Sequence, residues 1–74
     1  MSEFGVVLFH TTSAALRAEK VLNRAQLTTK LIPVPREFSS DCGIALRFAW
    51  AQREDVEGSL VAERVAFSSI HQMP

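Results

Sequence analysis

The sequence has little cysteine and no excess of charge of either sign. Its 74 residues include a single cysteine, and 8 Lys and Arg balance 8 Asp and Glu. One cysteine forms neither an internal disulfide nor a cysteine-based zinc site, so the fold depends on packing alone, as in cytosolic domains. Proteins that bind nucleic acids or anionic membranes usually carry clusters of Lys and Arg. The Lys and Arg residues of this chain form no such cluster. We therefore expect a cytoplasmic protein with no nucleic-acid or membrane partner.

Long hydrophobic runs and glycine-rich loops are also missing. The apolar run over 4–9 follows Glu3 and is too short for a signal peptide or a membrane span. The glycines are isolated, so there is no GxGxxG or GxxxxGK phosphate loop. A chain of this length buries only about 60% of its unfolded surface, which leaves no room for a large cleft. We expect a single domain over 1–74 with no cofactor and no sizeable enzyme cleft.

Apolar periodicity in the first half predicts a strand, a helix and a second strand. The β-branched and aromatic residues over 4–10 favour a strand. Hydroxyl residues from Thr11 onward offer N-caps, and apolar residues at helical spacing predict a helix over 13–25. A second strand over 27–33 ends at Pro33, since proline confines a strand to an edge or a short ladder.

The second half begins with the clearest strand signal. Strict alternation predicts a strand with two faces, one carrying Ile44, Leu46, Phe48 and Trp50 and the other Ala45, Arg47, Ala49 and Ala51. An apolar stripe behind an acidic start predicts a helix over 53–64. A weaker apolar pattern over 67–73 indicates the last strand.

This order of elements predicts an α+β fold. The simplest arrangement is a ferredoxin-like βαββαβ sandwich, with two helices on one face of a four-stranded antiparallel sheet. If the first strand points Phe4, Val6 and Leu8 toward the helices, as we expect, Val7 and Phe9 lie on the open face. They join Ala45, Arg47 and Ala49 there, which makes this face rather apolar for contact with solvent. A homodimer that covers this face is the resulting hypothesis.

The single cysteine, Cys42, lies in the connection between the second and third strands. A lone cysteine is most often a small buried hydrophobe, but a polar turn before a strand favours an exposed, reactive thiol. Arg36 and Arg47 are cations able to stabilise a thiolate, as are the N–H groups of a turn. Asp41 opposes them, because a neighbouring carboxylate raises the pKa of a thiol. These alternatives stay open.

Two histidines, His10 and His71, are available as partners for this thiol. We interpret both as solvated residues at strand ends, since no third residue is identifiable that would orient either ring. One cysteine and two distant histidines, without CxxC or HxxxH spacing, do not form a zinc signature, so we expect no metal site.

The segment over 33–48, PVPREFSSDCGIALRF, resembles the small bacterial family of Se/S carrier-like proteins. The similarity extends over nearly the whole chain, with a P-x-P-R-x-x-S-S-x-C-G motif that enters a strand ending in Arg-Phe. The resemblance implies a cytoplasmic domain whose Cys42 holds sulfur or selenium as a persulfide or selenide. Donor and acceptor proteins are the implied partners. The resemblance further implies that Arg36 and Arg47 stabilise an anion. It also implies that Ser39, Ser40 and Gly43 form a turn.

Two other functions are compatible with the same residues. One is a non-catalytic interaction or regulatory module in which Cys42 is structural, and the other is a sensor that binds a small anion near Arg36 and Arg47. Replacement of Cys42 by serine separates them. A carrier stays folded after this substitution but loses its function. If the cysteine is structural and buried, the substitution lowers the free energy of unfolding by about 1 to 2 kcal/mol. A sensor still binds its ligand.

Overall fold

Two helices pack on one face of a four-stranded antiparallel sheet in the computed structural model, which describes residues 3–38 and 43–74. The elements are β1 (Phe4–Leu8), α1 (Thr12–Arg24), β2 (Thr29–Pro33), β3 (Ile44–Ala49), a 3-10 turn (Trp50–Gln52), α2 (Arg53–Ala62) and β4 (Ser69–Gln72). The sheet order is β2-β3-β1-β4. Each βαβ unit therefore encloses a strand of the other unit, which is the split arrangement predicted as ferredoxin-like. The predicted fold class is confirmed.

Local sequence explains where α1 begins and ends. The Thr11 side chain accepts a hydrogen bond from the Ala14 N–H at 3.1 Å, as an N-cap residue does. At the other end, Gln26 has a φ of 62°, and the N–H of Leu27 donates to the carbonyl of Leu22 at 2.9 Å. This is a Schellman ending without the usual glycine. The helix α2 ends in the same way, with Arg64 as the non-glycine residue of positive φ.

The main core lies between the helices and one face of the sheet. Its buried members are Val7, Phe9, Ala15, Ala18, Val21, Leu22, Leu27, Leu46, Phe48, Val56, Leu60 and Val65. The predicted inward face of β3 is confirmed, but the strand ends at Ala49. Trp50 begins the 3-10 turn and stacks near Phe48, with 6.0 Å between ring centroids. Of the two alternatives for β2, an edge or a short ladder, the structure has an edge strand, and it ends at Pro33.

The first strand faces the opposite way from the expectation that Phe4, Val6 and Leu8 point toward the helices. Val7 belongs to the core beneath the helices, and it lies opposite Leu46 in the β1–β3 register. Opposite residues of an antiparallel pair share a face, so the alternate residues of β1 lie on the other side. The expectation was wrong because a strand that is apolar on both sides has no alternation from which to assign its faces.

Gly5 provides a test of how closely β1 packs against its surroundings. A Cβ at Gly5 would lie 2.5 Å from a Trp50 ring carbon, 2.8 Å from a Phe48 ring carbon and 2.9 Å from the backbone oxygen of His71. We expect Gly5→Ala to lower the free energy of unfolding by about 1–3 kcal/mol in urea denaturation, because the backbone oxygen cannot yield without disturbing β4.

Gly58 is the matched control for this measurement. It lies within α2, and a Cβ added there meets no atom within 4 Å. Gly58→Ala should therefore raise the free energy of unfolding by about 0.5–1 kcal/mol, since alanine loses less backbone entropy in a helix. Equal effects of the two substitutions would contradict the close packing of β1.

Candidate functional site

The sheet face opposite the helices is covered at one end by the chain itself. Val6, Leu8 and Ala45 lie on this face and are 0%, 3% and 0% exposed. Val34 and Phe38, from the connection that follows β2, pack against them. The apolar end of the face is therefore not open to solvent, and the homodimer stays a prediction.

Backbone hydrogen bonds position this cover, residues 34–38, which we call the covering segment. The N–H of Val34 donates to the carbonyl of Gly43 at 3.2 Å, which joins the segment to the start of β3. The N–H of Phe38 donates to the carbonyl of Pro35 at 3.0 Å and closes a turn. The segment thus has a defined path across the face.

A ring stack fixes the far end of the covering segment to β4. The rings of Phe38 and His71 lie 4.6 Å apart between centroids, with 19° between their planes. His71 Nε2 is 2.9 Å from the hydroxyl oxygen of Ser69, which holds the imidazole in place. His71 also lies opposite Val6 in the β1–β4 register, so it belongs to the covered face.

The interpretation of His71 as a solvated residue was wrong, because it is half-buried beneath Phe38. His10 is exposed in the turn between β1 and α1, as expected for a residue at a strand end. The stack was not readable from the sequence, since its two rings come from segments far apart in the chain. The sequence feature that could have indicated a contact is Phe38, an aromatic residue in a mostly polar loop.

The structure describes only some of the predicted site residues. Those within the described ranges are Arg36, Gly43 and Arg47. Those outside them are Ser39, Ser40 and Cys42. Gly43, which directly follows the cysteine in the sequence, has a φ of 76°. This left-handed conformation suits glycine, because a Cβ is disfavoured there.

The two predicted anion stabilisers lie in different surroundings. Arg36 is exposed in the turn that the Phe38–Pro35 hydrogen bond closes. The guanidinium carbon of Arg47 lies 4.4 Å from the centroid of the Phe4 ring, a cation–π contact. Arg47 is also four residues along β3 from Gly43, which corresponds to about 13 Å of strand. The role of either arginine at the thiol stays a prediction.

Residues 3–38 and 43–74 lack both a metal-binding cluster and a membrane-spanning helix. This part of the chain holds no group of three or more His, Cys, Asp or Glu side chains able to bind a metal ion. It also contains no helix with the length and apolar character that crossing a membrane requires. The chemistry that the described site offers is thus an oriented imidazole, an exposed guanidinium and backbone polar groups.

These features define a small ferredoxin-like domain whose single cysteine lies in a connection anchored to the sheet on both sides. Comparison with protein families identifies the family of this domain. Residues 4–72 match the family described as "Putative Se/S carrier protein-like", and the chain belongs to this family. The resemblance seen in the sequence is thereby confirmed. Comparison with curated proteins and with solved structures gives no match.

The stack between Phe38 and His71 is testable by a double-mutant cycle. We expect Phe38→Ala to lower the free energy of unfolding by about 1–3 kcal/mol, because it uncovers apolar sheet residues. With His71→Ala as the second change, the coupling energy should be about 0.5–1.5 kcal/mol, as for other stacked rings. Glu37→Ala, at the exposed neighbouring position, is the control. Strictly additive losses would contradict an energetic role for the stack.

The backbone conformation of Gly43 gives a second prediction. A Cβ at this position meets no atom of residues 3–38 and 43–74 within 4 Å, so we attribute the loss on substitution to the positive φ. Gly43→Ala should lower the free energy of unfolding by about 1–2 kcal/mol in urea denaturation. Gly43→Asn should cost less, because asparagine tolerates the left-handed region. An asparagine variant less stable than the alanine variant would contradict this explanation.

Proposed function

We propose that this protein carries sulfur or selenium on Cys42 and passes it from a donor protein to an acceptor protein. Family membership over residues 4–72 is the observation that carries the proposal. The placement of the neighbouring residues supports it. Phe38 and Gly43, on either side of the cysteine in the sequence, are both anchored to the sheet. The residues that flank 39–42 on both sides are therefore fixed in position.

The proposed reaction is a thiol exchange. The Cys42 thiolate attacks the terminal sulfur of a donor persulfide, R–S–SH, and an S–S bond forms as the donor S–S bond breaks. The products are Cys42–S–SH and the donor thiolate, R–S⁻, so electrons balance without an external oxidant. An acceptor thiolate then removes the terminal sulfur in the same way. Selenium follows the same route when the terminal atom of the donor is selenium.

This chemistry suits a domain without a deep cleft. The exchange requires an accessible thiolate and a surface that two partners recognise, and binding energy from partner contacts supplies the orientation. Arg36, exposed in the turn before the cysteine, is the proposed local cation. Arg47 is proposed as a second, weaker contributor because it is displaced along β3 and packs on Phe4. Ser39, Ser40 and Gly43 are the proposed turn formers.

The decisive experiment measures the intact mass of the folded protein after mixing with a low-molecular-weight persulfide donor. We expect a gain of about 32 Da, one sulfur atom, that disappears when an acceptor thiol is added. Cys42→Ser is the control, and it should show no gain while keeping the same unfolding curve. Absence of the adduct on the folded wild-type chain would overturn the carrier proposal.

Alkylation by iodoacetamide separates this proposal from an interaction module with a structural cysteine. A carrier thiol reacts in the folded state, at a rate that rises with pH as thiolate forms. Arg36→Gln should slow the reaction about twofold or more at neutral pH and low salt, whereas Arg24→Gln, on the exposed last turn of α1, should leave it unchanged. Reaction only after unfolding would favour the structural cysteine.

A further inference from the structure

The outer surface of α1 and α2, on the side away from the sheet, carries exposed apolar side chains. Leu16 in α1 is 45% exposed, and Val61 in α2 is 62% exposed. Each lies about 140° to 160° around its helix from the fully buried Ala18 or Val56, so both point away from the sheet. Residues 3–38 and 43–74 supply no cover for these two side chains. We call this outer surface of the two helices the helical surface.

Charge is divided between the two helices. α1 carries three cations and one carboxylate, whereas α2 carries three carboxylates and one arginine. That arginine, Arg53, lies 3.8 Å from Glu57, whereas Lys20, Arg24 and Glu54 form no salt bridge within 3–38 and 43–74. The helical surface thus has a positive half and a negative half, so it complements a second copy of itself. A partner of one sign would match only half of it.

The order of residues along the helices matches when α1 of one copy lies antiparallel on α2 of another. Leu16 and Arg24 are separated by about 12 Å along the axis of α1, and Val61 and Glu54 by about 10 Å along the axis of α2. When Leu16 lies opposite Val61 of the partner subunit, Arg24 therefore lies opposite Glu54 of the partner subunit. The same arrangement joins apolar to apolar and positive to negative side chains.

One two-fold axis produces these contacts in both directions. Within a chain the start of α1 lies beside the end of α2, since the Arg17 side chain donates to the carbonyl of Glu63 at 3.0 Å. A two-fold axis parallel to the helices preserves this alignment and lays α1 of each copy on α2 of the other. Gly58 lies on the same surface, where an added Cβ meets no described atom within 4 Å. This open position allows Lys20 of the partner subunit to approach closely.

We propose that the helical surface is the interface of a homodimer, with Leu16 against Val61 and Arg24 against Glu54 of the partner subunit. Two adjacent helices of this length present a face about 20 Å long and about 20 Å wide, so the dimer buries about 800 Å² in total. An interface of this size is typical of weak, concentration-dependent association. The covering segment lies on the opposite side of the sheet, so this dimer leaves it uncovered and is independent of the function proposed above.

Sedimentation velocity of the full chain, from low to high micromolar concentration, tests for the dimer. We expect a monomer–dimer equilibrium whose dissociation constant rises with salt concentration, because exposed ion pairs are screened. A monomer at every concentration would overturn the proposal, and a dimer insensitive to salt would overturn the charge pairing.

Charge-reversal variants locate the interface. Arg24→Glu and Glu54→Arg should each weaken the dimer about tenfold or more, because each places like charges opposite one another. An equimolar mixture of the two variants should dimerise again, since both contacts then join opposite charges. This rescue separates the contact from any loss of helix stability, which the mixture retains. Lys30→Glu, on the other face of the sheet, is the control and should dimerise as the wild type does. A mixture that stays monomeric, or a dimer lost only in the Lys30 variant, would overturn the proposal.

Discussion

The structure depends on burial of the central strand β1 from both sides. Val6 and Val7 are neighbours that point to opposite faces, and both are fully buried. The helices bury one face, while the other requires a cover that no helix supplies. Residues 34–38 provide this cover, so this part of the connection after β2 contributes to the packing of the sheet. The physical need to shield Val6 thus accounts for the path of residues 34–38 across the sheet.

This constraint links packing to the candidate site. Because the covering segment crosses the sheet face, its last residue, Phe38, meets β4 and stacks on His71. Its first residue, Val34, is hydrogen-bonded to Gly43 at the other end of the connection. The single cysteine therefore belongs to a short part of the chain whose two flanks are held by interactions that also stabilise the sheet.

Patterns confined to one element were readable from the sequence, and contacts between distant elements were not. The alternation of β3 and the helical stripe of α1 predicted both elements and their buried faces. The faces of β1 were assigned wrongly because both are apolar. The stack of Phe38 on His71 gave no local signal, since neither residue predicts the other. The helix ends were approximate because Gln26, rather than a glycine, takes the left-handed conformation after α1.

The position of Cys42 in a polar turn indicated a candidate thiol, but the carrier role was predicted only by the family resemblance, and the structure adds what surrounds the site. The sheet face has an apolar end beneath the covering segment and a cationic end at Lys30 and Arg47. β3 connects these ends, and it is hydrogen-bonded to a neighbour on each side, so it resists local distortion. In the proposed transfer, residues 34–38 come just before the thiol in the sequence, so the segment that shields Val6 is also a described surface that partner proteins would contact.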